Sequence, residues 1–443
     1  MEKSVNLLIL ADDLTGALDT GVQFAKRGTD VEVYLSLDDA VQGLRKRRAD
    51  TATVRVINTD TRHACPEEAR RIVAAAVNAF RDCRHFYKKT DSCLRGNIGA
   101  EMEALMEATG CSRLPFVPAY PALKRTTRGG YQYLDGVLLH QSPMALDPLN
   151  PITDSFIPFI IGRQTKIPVR LVGTDLRGTD LAGTEQLRGT DLESPGTDPR
   201  GIILVFDSET PAHLEAAARA LRERGLLRVS AGCAGFAEAL MEALPFKGGN
   251  EEGNTLLPED RLPILVVSGS LNPVSIAQVE VAREKNIPCF GVAEDDLLDE
   301  GWFSSQKALF LTADCRCSLE ARGIAVLGTD LALGINAVGK AAMGTDHSRQ
   351  IARQPAQQVA DGLGKITQKI VNETGPLHLV VFGGDTLLGI MRAFGYKHIK
   401  PLKEVFPGVV LARTEGRKGW LVTKSGAFGE RGLILGLEEF LRN

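Results

Sequence analysis

The fold class follows from an early stretch, Leu7-Leu8-Ile9-Leu10-Ala11-Asp12-Asp13-Leu14-Thr15-Gly16. Its four leading residues are apolar and predict a buried strand, and Leu14, Leu18, Val22 and Ala25 share one face of the helix that follows at once. Open α/β sheets bind their ligands at such strand-to-helix turns. Two adjacent carboxylates and a hydroxyl at this turn therefore indicate a site for a polar ligand or for proton transfer. A simple helix cap is the alternative reading for the second carboxylate.

The same alternation of strand and helix continues through the first half of the chain. Three further apolar runs each end in a polar cluster, and these clusters are 58–62, 89–96 and 118–121. Parallel strands place their carboxyl ends along one edge of a sheet, so we expect the clusters to line a shared rim. The shared rim is more informative than any single cluster.

The length of 443 residues exceeds one ordinary core and predicts two domains. We expect an α/β fold in which each domain has a mainly parallel sheet flanked by helices. The predicted boundaries are 1–247 for the first domain, 248–258 for a polar, glycine-rich linker and 259–443 for the second domain. Within the first domain, Gly-Thr-Asp or Gly-Thr-Glu recurs through residues 173–198. Such a repeat cannot build a core, so we interpret it as a surface insertion without a catalytic role.

Composition narrows the class of protein. Hydrophobic residues make up 44% of the chain and charged residues 24%, as in soluble globular proteins. A net charge of −3 provides no basic field, so nucleic acid is not an expected partner. No apolar run approaches the roughly 20 residues of a membrane helix, and the amino terminus has no signal-peptide pattern. We expect a cytoplasmic protein with its eight cysteines reduced, and the sequence leaves a homo-oligomer open.

The second half contains three glycine-rich turns directly after predicted strands. They are Ser268-Gly269-Ser270-Leu271-Asn272, Gly383-Gly384-Asp385-Thr386 and Lys424-Ser425-Gly426-Ala427-Phe428-Gly429. Free backbone amides at a helix start suit phosphate oxygens. In the middle turn, Thr386 can donate a hydroxyl, and Asp385 can hold a magnesium-bound water or a ribose. A tight turn capped by Asp385 or Thr386 explains one such motif equally well, but three in one domain favour a nucleotide.

Two common nucleotide-binding motifs are missing from the chain. It has no GxxxxGK[ST] sequence, and no complete GxGxxG follows the first strand. Paired histidine ligands at helical spacing are also missing, so no protein-held metal is expected.

The polar group Lys89, Asp91, Ser92 and Arg95 is the densest of the first half. Lysine and arginine can bind a substrate carboxylate, arginine with two parallel hydrogen bonds. Asp91 or Asp13 can accept a proton from a hydroxyl. The alternative is an internal ion-pair network with no ligand.

Taken together, these motifs resemble the four-carbon acid sugar kinases, which phosphorylate threonate, erythronate and 3-oxo-tetronates with ATP. The matching elements, in the family's order, are Ala11–Ala17, Asp60–Arg62, Lys89–Ser92 with Arg95-Gly96, Pro118–Pro121, Ser268–Ser270, Gly383–Thr386 and Lys424–Gly429. They cover nearly the whole chain. One departure is Cys233 in Gly232-Cys233-Ala234-Gly235-Phe236, where the resemblance leads us to expect serine.

The resemblance implies an acid-sugar-binding first domain, a nucleotide-binding second domain and an active site in the interdomain cleft. ATP is the implied cofactor, with Mg2+ arriving on the nucleotide. The substrate-binding residues that we expect are Asp12, Asp13, Arg62, Lys89, Thr90, Asp91, Ser92 and Arg95. The nucleotide-binding residues that we expect are Ser268, Ser270, Gly383, Gly384, Asp385, Thr386 and Gly426.

Phosphoryl transfer to a hydroxyl requires a group that accepts the proton. Asp91, Asp13 and Asp385 are the candidates, and we choose Asp91 because it lies between Lys89 and Arg95, with Asp13 as the second catalytic residue. Two other classes of function stay open at this point. One is a phosphatase with an aspartate nucleophile at Asp12 or Asp13, and the other is a non-catalytic sensor that binds nucleotide and sugar acid.

Overall fold

The computed structural model describes residues 6–44, 53–147, 150–176, 201–244, 246, 261–334 and 346–443. The chain divides into two compact units, Met1–Asn250 and Glu251–Asn443. The predicted linker 248–258 and residues 177–198 of the repeat lie outside the described residues. The predicted domain boundaries stay a prediction.

The first unit is built on an eight-stranded parallel sheet within the described residues. The strands of the whole unit, in the parallel sheet and outside it, are β1 (Asn6–Ala11), β2 (Asp30–Tyr34), β3 (Thr53–Asn58), β4 (His85–Lys89), β5 (Arg113–Val117), β6 (Arg125–Arg128), β7 (Tyr131–Leu134), β8 (Val137–Leu138), β9 (Val169–Val172), β10 (Ile202–Phe206) and β11 (Val229–Gly232). The parallel sheet has the order β2-β3-β1-β4-β11-β5-β10-β9. Strands β6, β7 and β8 form a separate antiparallel sheet.

Helices cover this sheet because their apolar faces match its buried strands. They are α1 (Leu14–Ala25), α2 (Leu37–Leu44), α3 (Pro66–Ala79), α4 (Ile98–Thr109), α5 (Ile157–Gly162), α6 (Pro211–Glu223) and α7 (Ala234–Ala243). The core packs Leu8 and Phe86 of the sheet with Ile98 and Leu105 of α4. Helix α4 ends at Gly110, whose left-handed φ of 66° suits glycine.

The second unit has a mixed sheet in the order β13-β14-β12-β15-β18-β17-β16. Its strands are β12 (Ile264–Ser268), β13 (Cys289–Val292), β14 (Ile324–Thr329), β15 (His378–Phe382), β16 (His398–Phe406), β17 (Val409–Arg413) and β18 (Leu421–Lys424). The first five strands in this order, β13, β14, β12, β15 and β18, are parallel. Strands β17 and β16 extend the sheet with antiparallel pairing. The helices are α8 (Pro273–Glu284), α9 (Glu294–Leu298), α10 (Gln306–Arg322), α11 (Asp346–Thr374), α12 (Gly384–Phe394) and α13 (Leu433–Arg442).

The predicted fold class is confirmed, since each unit carries a mainly parallel sheet flanked by helices. Among the described residues, none of the helices combines the length and the apolar character that crossing a membrane requires.

Candidate functional site

Three polar clusters of the first unit meet at one rim. Strands β3, β1 and β4 are parallel neighbours, so the residues that follow them lie side by side. Arg62, after β3, joins the clusters. Its guanidinium donates to both oxygens of Asp12 at 2.9 and 3.1 Å and to Asp13 Oδ2 at 2.7 Å. A third carboxylate, Asp91, lies 3.6 Å from the same guanidinium. Three of the four clusters predicted for the shared rim therefore meet around one arginine, while the fourth, 118–121, follows β5, which β11 separates from β4.

Asp13 has two roles at the start of α1. Its Oδ1 accepts the Gly16 amide at 2.9 Å, which caps the helix, and its Oδ2 accepts the Thr15 hydroxyl at 2.8 Å as well as the bond from Arg62. Burial works to raise the pKa of Asp13, but the charges of Arg62 and Lys89 outweigh it and hold that pKa below its ordinary value. The side chain keeps 20% exposure, against 2% for Asp12. The capping alternative is thus real, and it leaves the Asp13 carboxylate accessible.

Asp91 is enclosed by hydrogen-bond donors. Arg95 donates to its two oxygens at 2.8 and 3.0 Å, and the amides of Cys93 and Arg95 reach Oδ2 at 3.2 and 3.3 Å. The remaining edge of Arg95 bonds Asp147 at 2.9 Å. Burial opposes ionisation, yet Arg95 and Arg62 lower the pKa of Asp91 far below its ordinary value. The internal ion-pair network that the sequence left open is therefore present at these two residues.

Lys89 differs from both arginines. Its side chain is buried, and within the described part of the chain its ammonium has no hydrogen-bond acceptor and no carboxylate within ion-pair distance. A Cβ built on Gly16 would lie 2.6 Å from Lys89 Nζ and 2.5 Å from Asp13 Oδ1, so glycine makes room for the ammonium at the start of α1. Lys89 is thus a buried cation beside the carboxylate cluster with its donors still available.

Thr90 and Ser92, the other predicted substrate residues, are buried on either side of Asp91. The Thr90 hydroxyl donates to the Gly232 carbonyl at 3.4 Å, and the Ser92 carbonyl accepts from Gln132 at 2.9 Å. Thr90 thus supports the end of β4, and Gln132 of β7 fixes the chain at Ser92.

A buried network below the rim was not predicted. Lys88 Nζ lies 3.2 Å from Glu101 of α4, and both side chains are almost fully buried. Glu101 also accepts the Thr61 hydroxyl, next to Arg62. Burial raises the pKa of Glu101. The signal in the sequence was a lysine that follows Phe86 and Tyr87 within one strand, because a buried charge requires a partner.

The three glycine-rich turns of the second unit also converge. They follow β12, β15 and β18, which are parallel neighbours. A Cβ on Gly269 would clash with Thr386 Oγ1, and a Cβ on Gly426 would clash with the hydroxyl of Ser270. A Cβ on Gly383 would lie 3.6 Å from the Cβ of Ser270. The predicted nucleotide-binding residues Ser270, Gly383, Thr386 and Gly426 therefore lie close together and bring backbone groups and side-chain hydroxyls to one place.

Gly383 is the N-cap of α12, with a left-handed φ of 104° that favours glycine. Neither Asp385 nor Thr386 caps this helix, so the alternative reading of the motif as a turn capped by one of these two side chains is wrong. Asp385 is exposed in the first turn of α12, and Thr386 is buried. Ser268 is buried, and its hydroxyl has no partner among the described residues. This rim thus offers the exposed carboxylate of Asp385 together with unused backbone and hydroxyl donors.

Comparisons with known proteins found one family model for each unit. The model of a family described as "Sugar-binding N-terminal domain" matches residues 7–240, and one described as "Nucleotide-binding C-terminal domain" matches residues 265–434. A D-threonate kinase of Salmonella typhimurium is 31% identical over 96% of both chains. The chain belongs to the four-carbon acid sugar kinase family.

Other members of the family cover the chain to the same extent. A D-erythronate kinase of Heliobacterium modesticaldum is 28% identical over 96% of this chain and 94% of its own. A 3-oxo-tetronate kinase of Methylobacterium radiotolerans is 27% identical over 96% of this chain and 97% of its own.

Solved structures support the fold. A Salmonella typhimurium LT2 protein described as a tRNA synthase superposes with a TM-score of 0.72 at 22% identity, over 97% of this chain and 98% of its own. Haemophilus influenzae protein HI1011 gives a TM-score of 0.63 at 21% identity, over 98% of this chain and all of its own.

The departure from the family pattern at Cys233 lies beside the rim that Arg62 joins. Cys233 follows β11, the neighbour of β4, and is the N-cap of α7. Its thiol donates to the Ala119 carbonyl at 3.0 Å, and burial raises its pKa to about 11. In this member of the family the thiol is therefore a neutral, internally bonded group.

Proposed function

We propose that this chain is a kinase that transfers the γ-phosphoryl group of ATP to a hydroxyl of a four-carbon sugar acid. The observation that carries the proposal is Lys89, a buried ammonium with available donors beside the carboxylates of a rim that belongs to a sugar-binding domain. Threonate, erythronate and 3-oxo-tetronate are the acids named in the relatives.

Lys89 is the proposed anchor of the substrate carboxylate. Arg95 is less suited to this role, because Asp91 and Asp147 occupy both edges of its guanidinium. We assign Arg95 and Arg62 to holding the carboxylates in place. A single buried cation can bind an anionic substrate without first breaking an internal ion pair.

Asp13 is the proposed acceptor of the hydroxyl proton. The sequence alone favoured Asp91, but the two bonds from Arg95 and two backbone amides engage that carboxylate. Asp13 is twice as exposed, at 20% against 10%, and so is more accessible to a sugar hydroxyl. Asp12 is unsuited to the nucleophilic role of a phosphatase, because it is buried and Arg62 binds both of its oxygens.

ATP is the proposed partner of the glycine-rich group in the second unit. Backbone amides near Gly383, Gly384 and Gly426 would hold its phosphates, and Asp385 is a carboxylate at that rim for the accompanying magnesium. Bound ATP supplies the phosphoryl group. A cytoplasmic location is proposed with this function, since all eight cysteines are free thiols, as in a reducing compartment.

A screen for ADP release with threonate, erythronate and 3-oxo-tetronate isomers tests the proposal. We expect acid-dependent ADP release with at least one of them. Lys89→Met should raise KM for that acid by roughly 10- to 100-fold, the equivalent of one charge-assisted contact, with KM for ATP unchanged. Lys124→Met is the matched control, because Lys124 of the same unit has a side chain that is 77% exposed. A protein that binds ATP and acid without releasing ADP would instead be a sensor.

A further inference from the structure

Lys424 is a buried lysine that the proposed chemistry does not use. It ends β18 and is 1% exposed. Its Nζ donates to Ser275 Oγ at 2.8 Å and to the carbonyls of Gly426 and Phe428 at 3.2 Å each. The ammonium also lies 4.3 Å from the centre of the ring of Phe382, the residue that precedes Gly383 in the sequence. One side chain thus contacts its own glycine-rich turn, the helix that follows the first such turn and the strand that precedes the second.

These bonds fix the direction of two peptide groups. In a trans peptide the N–H points opposite to the C=O of the same unit. Because the Gly426 and Phe428 carbonyls point towards Lys424, the amides of Ala427 and Gly429 point away from it. Neither amide has an acceptor in the part of the chain that the structure describes, and Gly429 is exposed. Two outward amides separated by one residue are a suitable anion-binding arrangement.

Further hydrogen bonds reinforce this geometry. Ser275 Oγ, which accepts from Lys424, itself donates to the Gly426 carbonyl at 2.9 Å. Gln278 of α8 donates to the Phe428 carbonyl at 3.1 Å. A donor on the carbonyl side polarises a peptide group and strengthens its N–H as a donor. The charged form of Lys424 is therefore the form that best prepares the two amides for phosphate.

We infer that Lys424 is a positioning residue of the nucleotide site, and that nucleotide phosphate binding is coupled to protonation of its amino group. This inference rests on the proposed function, since it deepens the role of the same turns. The ammonium does not touch the phosphate. It acts through the peptide groups of Ala427 and Gly429.

The electrostatics of Lys424 make the coupling measurable. Burial lowers the pKa of its ammonium to about 7, and no charged neighbour offsets this. The charged or titratable side chains on the surrounding elements are Glu280, Arg283 and Glu284 on α8, Asp385 and Arg392 on α12, His378 on β15, Arg413 on β17, and Glu430 and Arg431 beyond the turn, and none contributes to the shift. In the free protein the charge is lost as the pH rises through about 7. A bound polyphosphate favours the ammonium and raises that pKa, so binding takes up a proton above neutrality.

Calorimetry with MgADP at pH 7 to 9, in buffers of different ionisation enthalpy, tests the inference. The wild-type protein should take up about half a proton or more per ADP at pH 8, and its affinity should fall by up to about tenfold per unit of pH. Lys424→Met should bind about 10- to 100-fold more weakly at pH 7 and take up no proton in excess of that attributable to the ligand. Lys418→Met, at an exposed lysine of the same unit, should behave as wild type.

The outcomes separate the inference from the function on which it rests. If the wild-type protein does not bind MgADP, the proposed nucleotide site is wrong. If the wild type binds and Lys424→Met binds equally well with the same proton uptake, the inference alone is wrong. Should Lys424→Met fail to fold by circular dichroism, Ser275→Ala takes its place, because it removes one acceptor of the ammonium. It should weaken binding and alter the proton uptake, and wild-type behaviour would overturn the inference.

Discussion

At the level of single residues, Arg62 holds together the carboxylates at the rim of the first unit. It holds Asp12 with two hydrogen bonds and Asp13 with one, and it faces Asp91 at 3.6 Å. The charges of Arg62 and the neighbouring cations keep Asp13 and Asp91 ionised, because they outweigh the cost of burying these two carboxylates. The carboxylates then differ mainly in how much of each is accessible to a substrate.

This difference leads to a prediction for Asp13. Asp13→Asn should fold, since asparagine also caps helices well, and its turnover should fall by about two to four orders of magnitude because the proton acceptor is lost. KM for the sugar acid should change little. Steady-state kinetics with saturating ATP measures both quantities.

Asp91→Asn is the matched comparison. This change weakens the ion pair with Arg95, so we expect mainly a higher KM for the acid and a smaller loss of turnover. The opposite pattern, with turnover lost in Asp91→Asn and kept in Asp13→Asn, would show that the choice made from the sequence was the right one.

The sequence predicted which residues line the rim, but it did not predict how they pair. Asp12, Asp13 and Arg62 follow neighbouring strands, and parallel topology alone brings them together. Asp147 and Glu101 were missed, because their partners Arg95 and Lys88 are distant in sequence or lie below the rim. Lys89 and Arg95 were treated alike, since only the packed structure distinguishes a cation with available donors from one already paired.

At the level of elements, the three strand-to-helix turns of the second unit are close enough that glycine is required at several contacts. Gly269 and Gly426 have no room for a Cβ beside Thr386 and Ser270. The sequence motifs predicted these turns because glycine and polar residues directly after a strand favour a turn through local backbone preferences. The role of Lys424 was not predicted, since its bonds to Ser275 and Phe428 depend on packing.

Gly384→Val tests the proposed phosphate site. The change introduces a side chain at the start of α12, where phosphate oxygens approach the backbone, so MgATP binding should be abolished while the fold is kept. Gly432→Val is the control, because a Cβ at Gly432 meets no atom within 4 Å and its φ of −83° suits any residue. Calorimetry that finds wild-type affinity in a folded Gly384→Val protein would move the nucleotide elsewhere.

At the level of the whole molecule, we assign one ligand to each unit. The sugar-binding family model covers the first sheet and the nucleotide-binding model covers the second. The active site in an interdomain cleft and the homo-oligomer stay predictions from the sequence. So does the view of the repeat as an insertion without a catalytic role.

Product analysis distinguishes phosphoryl transfer from ATP to a four-carbon sugar acid from hydrolysis of ATP and from binding alone. ATP and the acid that is active in the ADP screen are incubated with the protein, and ADP, inorganic phosphate and phosphorylated acid are quantified by mass spectrometry and 31P NMR. We expect one ADP and one phosphorylated acid for each ATP consumed. Release of inorganic phosphate without a phosphorylated acid, or binding of both ligands without turnover, would contradict it.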